Sequence, residues 1–426
     1  MKILSAEYLV TMASDILIDG AVAIEHGVII DVGREEDLLK RYPSAEHQNY
    51  PHHVILPGLI NAHAHLDMSL YRDFPNDPVR HPNTSPSYID WLIGCLDYKR
   101  RAGHAQLREA VEWAIDECIQ AGTTCVAEMG NYEGIFSVLE QKNMRAVVFP
   151  EVLSFDSTVS KDLFESALAI VEKYQDDESD LVTVGMGPYS AFTLSRNILR
   201  IMSHYCRSSQ LPLMMHVAGS FSEMEFFHNS SGEIATKLFP NIGWNDLPPE
   251  HQRTPIQHLS QIGFLECQPI LVGCVQATDS DFDHIARSGS KIVITPRAGH
   301  YLHQGHPDLT RILERKIVVA LGTDGIPSVD SLSLWDEMRA FIEYYHDRLP
   351  LTGQQIFSMV TTNAAAALNL ADAVGSLEKG KIADLVIVDV ASIPTQGDLL
   401  LNLIKRVHNS HVVQVMINGR VVKSMN

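Results

Sequence analysis

Two hydrophobic patterns alternate along most of the chain. Short apolar runs of the kind that fill buried parallel strands recur eight times: VILPGLINAHAHL, TTCVAEM, RAVVFPEVL, VTVGMGP, PLMMHVAGS, PILVGCVQA, KIVITPRAG and VVALGTDG. Between them lie stretches such as AQLREAVEWAIDECIQAG, SKDLFESALAIVEKYQ and SRNILRIMSHYCRSSQ, whose apolar residues return at the spacing of an amphipathic helix. Eight strand-helix units in succession predict a (β/α)8 TIM barrel, an α/β fold, over residues 55–370, with reactive groups at the C-terminal strand ends. The flanks read differently. AVAIEHGVIIDVG alternates with period two around Gly27, as a hairpin does, and KIADLVIVDV and HVVQVMINGRVVKS return to strand pattern after a further helix over TGQQIFSMVTTNAAAALNL. Neither end alone has enough strands for a core, so residues 1–54 and 371–426 are expected to join in one small β-sandwich domain.

Composition narrows the function classes. The 426 residues include 33 Lys plus Arg against 52 Asp plus Glu, a formal charge of −19, which argues against nucleic acid or an anionic membrane as partner and for a small-molecule substrate. The N-terminal segment carries acidic residues and no apolar cleavage pattern, so no signal peptide is expected, and no apolar run approaches the roughly 18 residues of a membrane span. Six scattered cysteines without a C-x-x-C pair suit a reducing cytoplasm. Oligomeric state stays open, with a homodimer as one option.

The chemistry begins at PGLINAHAHLDMS. Alternation along an extended chain turns His63 and His65 to the same side, where two imidazoles can serve one ion. H-x-H alone is weak evidence. Its placement strengthens it: His63 and His65 fall at the end of the first predicted strand, His216 at the fifth and Asp324 at the eighth, all at one mouth of the barrel. Three neutral imidazoles and a carboxylate suit one divalent metal, Zn2+ or Fe2+, with a position left for water. Met214 and Met215 read as core packing, Cys274 as a core or rim thiol, and His300, His303 and His306 as a solvated loop. Arg297 stands where it could meet a polar substrate group or form a structural ion pair.

Together PGLINAHAHLDMS, HVAGSFSEMEF, LGTDG, TTNAAAALNL and GSLEKGKIADLVIVD resemble the amidohydrolase superfamily, in its branch of chlorohydrolases and nucleobase or nucleoside deaminases. Within that branch GMGPYSAFTLS, IGWNDLPPEHQRTPIQHL and TPRAGHYLHQG are similar to aminodeoxyfutalosine deaminases. The resemblance implies that His63, His65, His216 and Asp324 are metal ligands. It also exposes departures. Where the family carries a proton-shuttling glutamate three residues after the strand-five histidine, this chain has Gly219. Gly273 replaces a histidine at the end of strand six, Tyr189 a substrate-facing histidine, and PRAG the family's PRSN.

Glycine cannot carry a proton, and loss of a general acid/base costs typically 10²–10⁴-fold. Ordinary deamination is therefore expected to be impaired unless Glu128, Glu151, Glu223 or Asp324 stands in. Of these, Glu223 reads as a solvated helix face, and Glu128 and Glu151 as braces for loops or ligands. Tyr189, Arg297, Gly219 and Gly273 are the expected substrate-side positions. Three readings remain: a metal-dependent hydrolase of a C–N or C–X bond with an altered pocket, a non-catalytic metal-binding relative, and an efficient nucleoside or nucleobase deaminase.

Overall fold

The structure is a computed structural model and describes residues 1–73, 87–154, 157–175, 181–243 and 247–424. Residues 244–246, inside the IGWNDLPPEHQRTPIQHL stretch, lie outside the described residues. The strands in chain order are β1 (Lys2–Leu9), β2 (Leu17–Glu25), β3 (Val28–Arg34), β4 (Glu46–Pro57), β5 (Leu59–Ala64), β6 (Thr123–Gly130), β7 (Arg145–Val152) and β8 (Val182–Val184). They continue as β9 (Gly187–Pro188), β10 (Met214–Val217), β11 (Ile270–Gly273), β12 (Lys291–Ile294), β13 (Val319–Leu321), β14 (Leu385–Asp389), β15 (Val412–Ile417) and β16 (Arg420–Ser424).

All eight apolar runs supply barrel strands. β5-β6-β7-β8 and β10-β11-β12-β13 form two parallel arcs, with β9 on β7. Parallel bridges Met186 to Leu213 and Ala64 to Asp324 join the arcs into a closed barrel. The helices His104–Gln120, Ser157–Gln175 and Arg196–Ser208 follow the 3.6-residue spacing of the sequence. The first run serves two sheets: its VILP ends β4, and LINAHA forms β5 after Gly58. The helix expected over TGQQIFSMVTTNAAAALNL is instead two, Gly353–Ser358 and Thr362–Ala367, interrupted where Thr361 takes φ −136° and ψ −98°.

The two chain ends share one continuous sheet in the order β16-β15-β14-β4-β1-β2-β3, in which only β1 and β4 run parallel. The hairpin at Gly27 is present: His26 and Gly27 take φ 51° and 80°, the left-handed pair that a two-residue turn between twisted strands needs. Period-two alternation sorts the faces. Leu4, Val22, Ile24 and Ile29 from one wing pack in a single cluster with Ile55, Leu385, Ile387 and Met416 from the other, so the sheet folds over on itself as a sandwich does. The opposite face of the second wing, with Val54, Leu56, Val386, Val388 and Val415, merges into the barrel core.

Candidate active site

The site is assembled where the first and last barrel strands meet. β5 is buried at every position, and His65 follows directly on its end. His63 O accepts hydrogen bonds from the amides of Thr323 and Asp324 at 3.0 and 3.1 Å. This approach requires Gly322, because a Cβ there would lie 2.7 Å from both the nitrogen and the oxygen of His63. Asn61 fastens the same junction through Thr323, giving 2.8 Å to its hydroxyl and taking 3.1 Å from its amide. Asp324 itself adopts φ 65°, which turns its carboxylate away from the strand direction and toward the histidines.

His63, His65, His216 and Asp324 each offer one ligating atom, and these atoms lie within 4.8 Å of one another. The Nε2 atoms of His63 and His216 are 3.1 Å apart, those of His65 and His216 3.4 Å, and Asp324 Oδ1 stands 3.7 Å from Nε2 of both His63 and His65. The outer ring nitrogens are held: Nδ1 of His65 donates to Met129 O at 2.5 Å, and Nδ1 of His216 to Tyr189 O at 3.2 Å. Those bonds fix the tautomer, so two bare Nε2 lone pairs face each other across 3.4 Å. Such an arrangement is repulsive by itself and favourable around a cation, which is the fit expected of a metal centre.

Protonation agrees. Burial lowers the pKa of His63 and of His216, keeping both neutral as ligation requires. Burial would raise the Asp324 carboxyl, but the His63 hydrogen bond and the neighbouring imidazoles outweigh it and bring it to about 2. Ser328 donates to Asp324 Oδ2 at 2.9 Å.

A cavity opens over this cluster, walled by Trp91, Leu92 and Phe192 and reached by His65, His216 and Asp324. Tyr189, Gly219 and Gly273 line it. Arg297 does not lie on it. Its guanidinium is tied to Ser331 at 2.9 Å and Asp330 at 2.9 Å and stands 3.4 Å from Glu337, so its role is that of a structural ion pair. Glu128 is fully buried beneath the site, with Oε2 on the amide of Leu66 at 2.7 Å. Burial, and next the charge of Asp67, push its pKa well up and favour a protonated brace. Glu151 lines the cavity but faces Lys99 at 3.7 Å, and Lys99 is paired with the buried Asp67 at 2.8 Å.

Glu223 departs most from expectation. It is 4% exposed, not a solvated helix face, and it lines the cavity. Burial pushes it up to about 7, against the lowering effect of the Ala218 and Gly219 amides. Cys274 is a buried core thiol, and Met214 and Met215 are core residues. His306 packs on Tyr344 with ring centroids 3.7 Å apart, more buried than a solvated loop.

Sequence reasoning missed Tyr88 and Lys99. Tyr88 OH lies 3.2 Å from Tyr189 OH at the cavity wall. Both residues sit on the helix Tyr88–Lys99, which comes between the first and second barrel strands and matches no motif.

Comparison with known proteins agrees with this geometry. The profile of the Amidohydrolase family matches residues 54–422, and that of an imidazolonepropionase-like composite domain of bacteria matches residues 20–45. The chain is 26% identical over 423 residues to a 5-methylthioadenosine/S-adenosylhomocysteine deaminase of Syntrophobacter fumaroxidans, covering 95% of this chain and 88% of that protein. It is 27% identical over 344 residues to an aminodeoxyfutalosine deaminase of Deinococcus radiodurans, covering 79% of each. Among solved structures, an adenosine deaminase from Xanthomonas campestris with bound zinc superposes with a TM-score of 0.85 at 24% identity, over 99% of this chain and 92% of that one. Helicobacter pylori aminofutalosine deaminase in complex with methylthio-coformycin gives 0.86 at 22% identity, over 99% and 100%.

Proposed function

The chain belongs to the amidohydrolase family, and from that premise we propose that it is a metal-dependent hydrolase of non-peptide C–N bonds that removes an amino group from a small heterocycle. The observation that carries this reading is the convergence of three imidazoles and a carboxylate at the floor of an apolar-walled cavity. The deaminase reading gains weight over the altered-pocket hydrolase of unspecified bond, because relatives spanning most of the chain are named as deaminases of adenosine-like substrates. Nothing supports the non-catalytic alternative.

His63, His65 and His216 through Nε2 and Asp324 through Oδ1 would hold one divalent ion, zinc or iron. Such an ion lowers the pKa of a bound water toward neutrality and so supplies the nucleophile. The chain's own groups do the rest. Trp91, Leu92 and Phe192 exclude bulk water, which strengthens every polar interaction within. Tyr88 and Tyr189, hydroxyl to hydroxyl, leave one phenolic proton free for an acceptor atom of the substrate. Asp324, kept ionised, stays an acceptor toward the reacting groups. None of the six cysteines forms a disulfide, which supports the cytoplasm as the place of action.

The test is ammonia release from adenosine, 5-methylthioadenosine, S-adenosylhomocysteine and simple amino-substituted heterocycles, with and without chelator. Turnover that chelation abolishes and zinc or iron restores is expected for at least one of them. Absence of turnover across the panel in fully metallated protein would overturn the reading.

A further inference from the structure

We infer that Glu223 is the proton carrier of this site, displaced one helical turn from the position that Gly219 occupies, and that Gly219 leaves the room through which its carboxylate reaches the reacting groups. The inference rests on the C–N hydrolase reading above.

The geometry starts at the helix Phe221–Asn229. Ser220 is its N-cap and accepts a hydrogen bond from the amide of Glu223 at 3.2 Å. A glutamate at that third position ordinarily turns back to the amide of the cap residue. Here it reaches one residue further, and Gly219 N donates to Glu223 Oε2 at 3.1 Å. The second oxygen, Oε1, is buried without a hydrogen-bond partner. An unpartnered buried carboxylate oxygen costs more than a neutral acceptor would, so its place on the cavity wall calls for a ligand.

Competing carboxylates are committed. Asp324 faces the histidines, and Glu151 stands beside Lys99. Glu223 is the third carboxylate on the cavity wall and, among the described residues, no cation is recorded against it. The titratable groups facing it are the Tyr88 phenol and the Cys274 thiol, both pushed upward by burial and both neutral near pH 7. A carboxyl titrating at about 7 is matched to taking and giving a proton at neutral pH.

Gly219 is not glycine for want of space. A Cβ there would meet only Gln304 Nε2, at 4.0 Å. Gly219 and Glu223 line the same cavity, so the open space at Gly219 is part of the wall that carries Glu223.

In the reaction, a water O–H bond breaks and its proton passes to Glu223 Oε1 while the oxygen bonds to the amino-bearing carbon. Glu223 then gives that proton to the amino nitrogen as the C–N bond breaks and ammonia leaves. The second water proton ends on the adjacent ring nitrogen, and the carbon becomes a carbonyl.

The experiment compares the parent with Glu223→Gln, Gly219→Glu and the double variant, each checked for metal content and Tm. With the panel substrate that turns over best, Glu223→Gln should lower kcat by about 10²–10⁴-fold with little change in KM. Gly219→Glu in that background should recover at least about tenfold of the loss, as a carboxylate returns to the same wall. A kcat for Glu223→Gln within about threefold of the parent would overturn the inference. A second readout needs no substrate. In cobalt-loaded protein the visible spectrum should titrate with pH, and Glu223→Gln should move the midpoint by about one unit or more. An unchanged midpoint overturns the inference even where no substrate is found, and that last outcome counts separately against the hydrolase reading.

Discussion

His63, the most buried of the four proposed ligands, gives the sharpest test of the proposed metal centre. His63→Ala should bring metal content from about one ion per chain to well below half, read by elemental analysis of protein purified without chelator. The two glycines are not equivalent. Gly273 takes φ 100°, so Gly273→His should cost about 1–3 kcal/mol of stability, whereas Gly219→Glu meets open space and should cost about 1 kcal/mol or less. Chemical denaturation of both variants measures the difference. Glu223 carries a pH signature with a definite sign. Its folded pKa of about 7 lies above the unfolded value of 4.5, so the stability it contributes is full below pH 4.5 and is lost as pH rises through 7. In metal-free protein Glu223→Gln should therefore gain on the parent above pH 7, by up to about 3 kcal/mol, with no gain at pH 4.5. The clustering of the proposed ligands was legible in the sequence because alternation turns His63 and His65 the same way and His216 and Asp324 fall at predicted strand ends of the same barrel mouth. Glu223 was not, since a charged residue in a first helical turn looks solvated until the helix Tyr88–Lys99, more than a hundred residues earlier, is known to close over the same cavity. For Arg297 the sequence left a substrate contact and a structural ion pair both open, because its partners, residues 330 to 337, lie on a later loop and helix.

Strand and helix identities followed from periodicity, but the joints between them did not. The break of VILPGLINAHAHL at Gly58 and the split of the last barrel helix at Thr361 depend on which sheet or layer each half packs against, and no local pattern encodes that. One joint does explain a motif. The first aspartate of GKIADLVIVD is Asp384, just ahead of β14, and it receives Arg145 Nε at 2.6 Å and Nη2 at 3.2 Å from the first residue of β7. Asn418 N adds a third bond to the same carboxylate at 2.7 Å. The pair is buried and joins the barrel to the sheet formed by the chain ends. Removing one partner strands the other charge, so Arg145→Ala should cost about 3–5 kcal/mol, seen as a fall in Tm or in denaturant midpoint. Asp384→Asn, which keeps part of the hydrogen bonding, should cost less.

Over the whole molecule, the net charge of −19 and the cavity address different things. The charge bears on solubility and on which large partners are repelled, while substrate choice is left to the apolar walls and a few polar groups. No helix among the described residues is long and apolar enough to cross a membrane. The closure of the barrel has a further bearing on how the protein matures. Two proposed ligands leave the ribosome with β5, and the fourth, Asp324, arrives some 260 residues later to bridge to Ala64. Up to His216 the nascent chain holds two of the four proposed ligands, and from there to Asp324 three. A chain cut short before Asp324 lacks both the fourth proposed ligand and the bridge that closes the barrel, so it should hold metal less firmly than the whole chain.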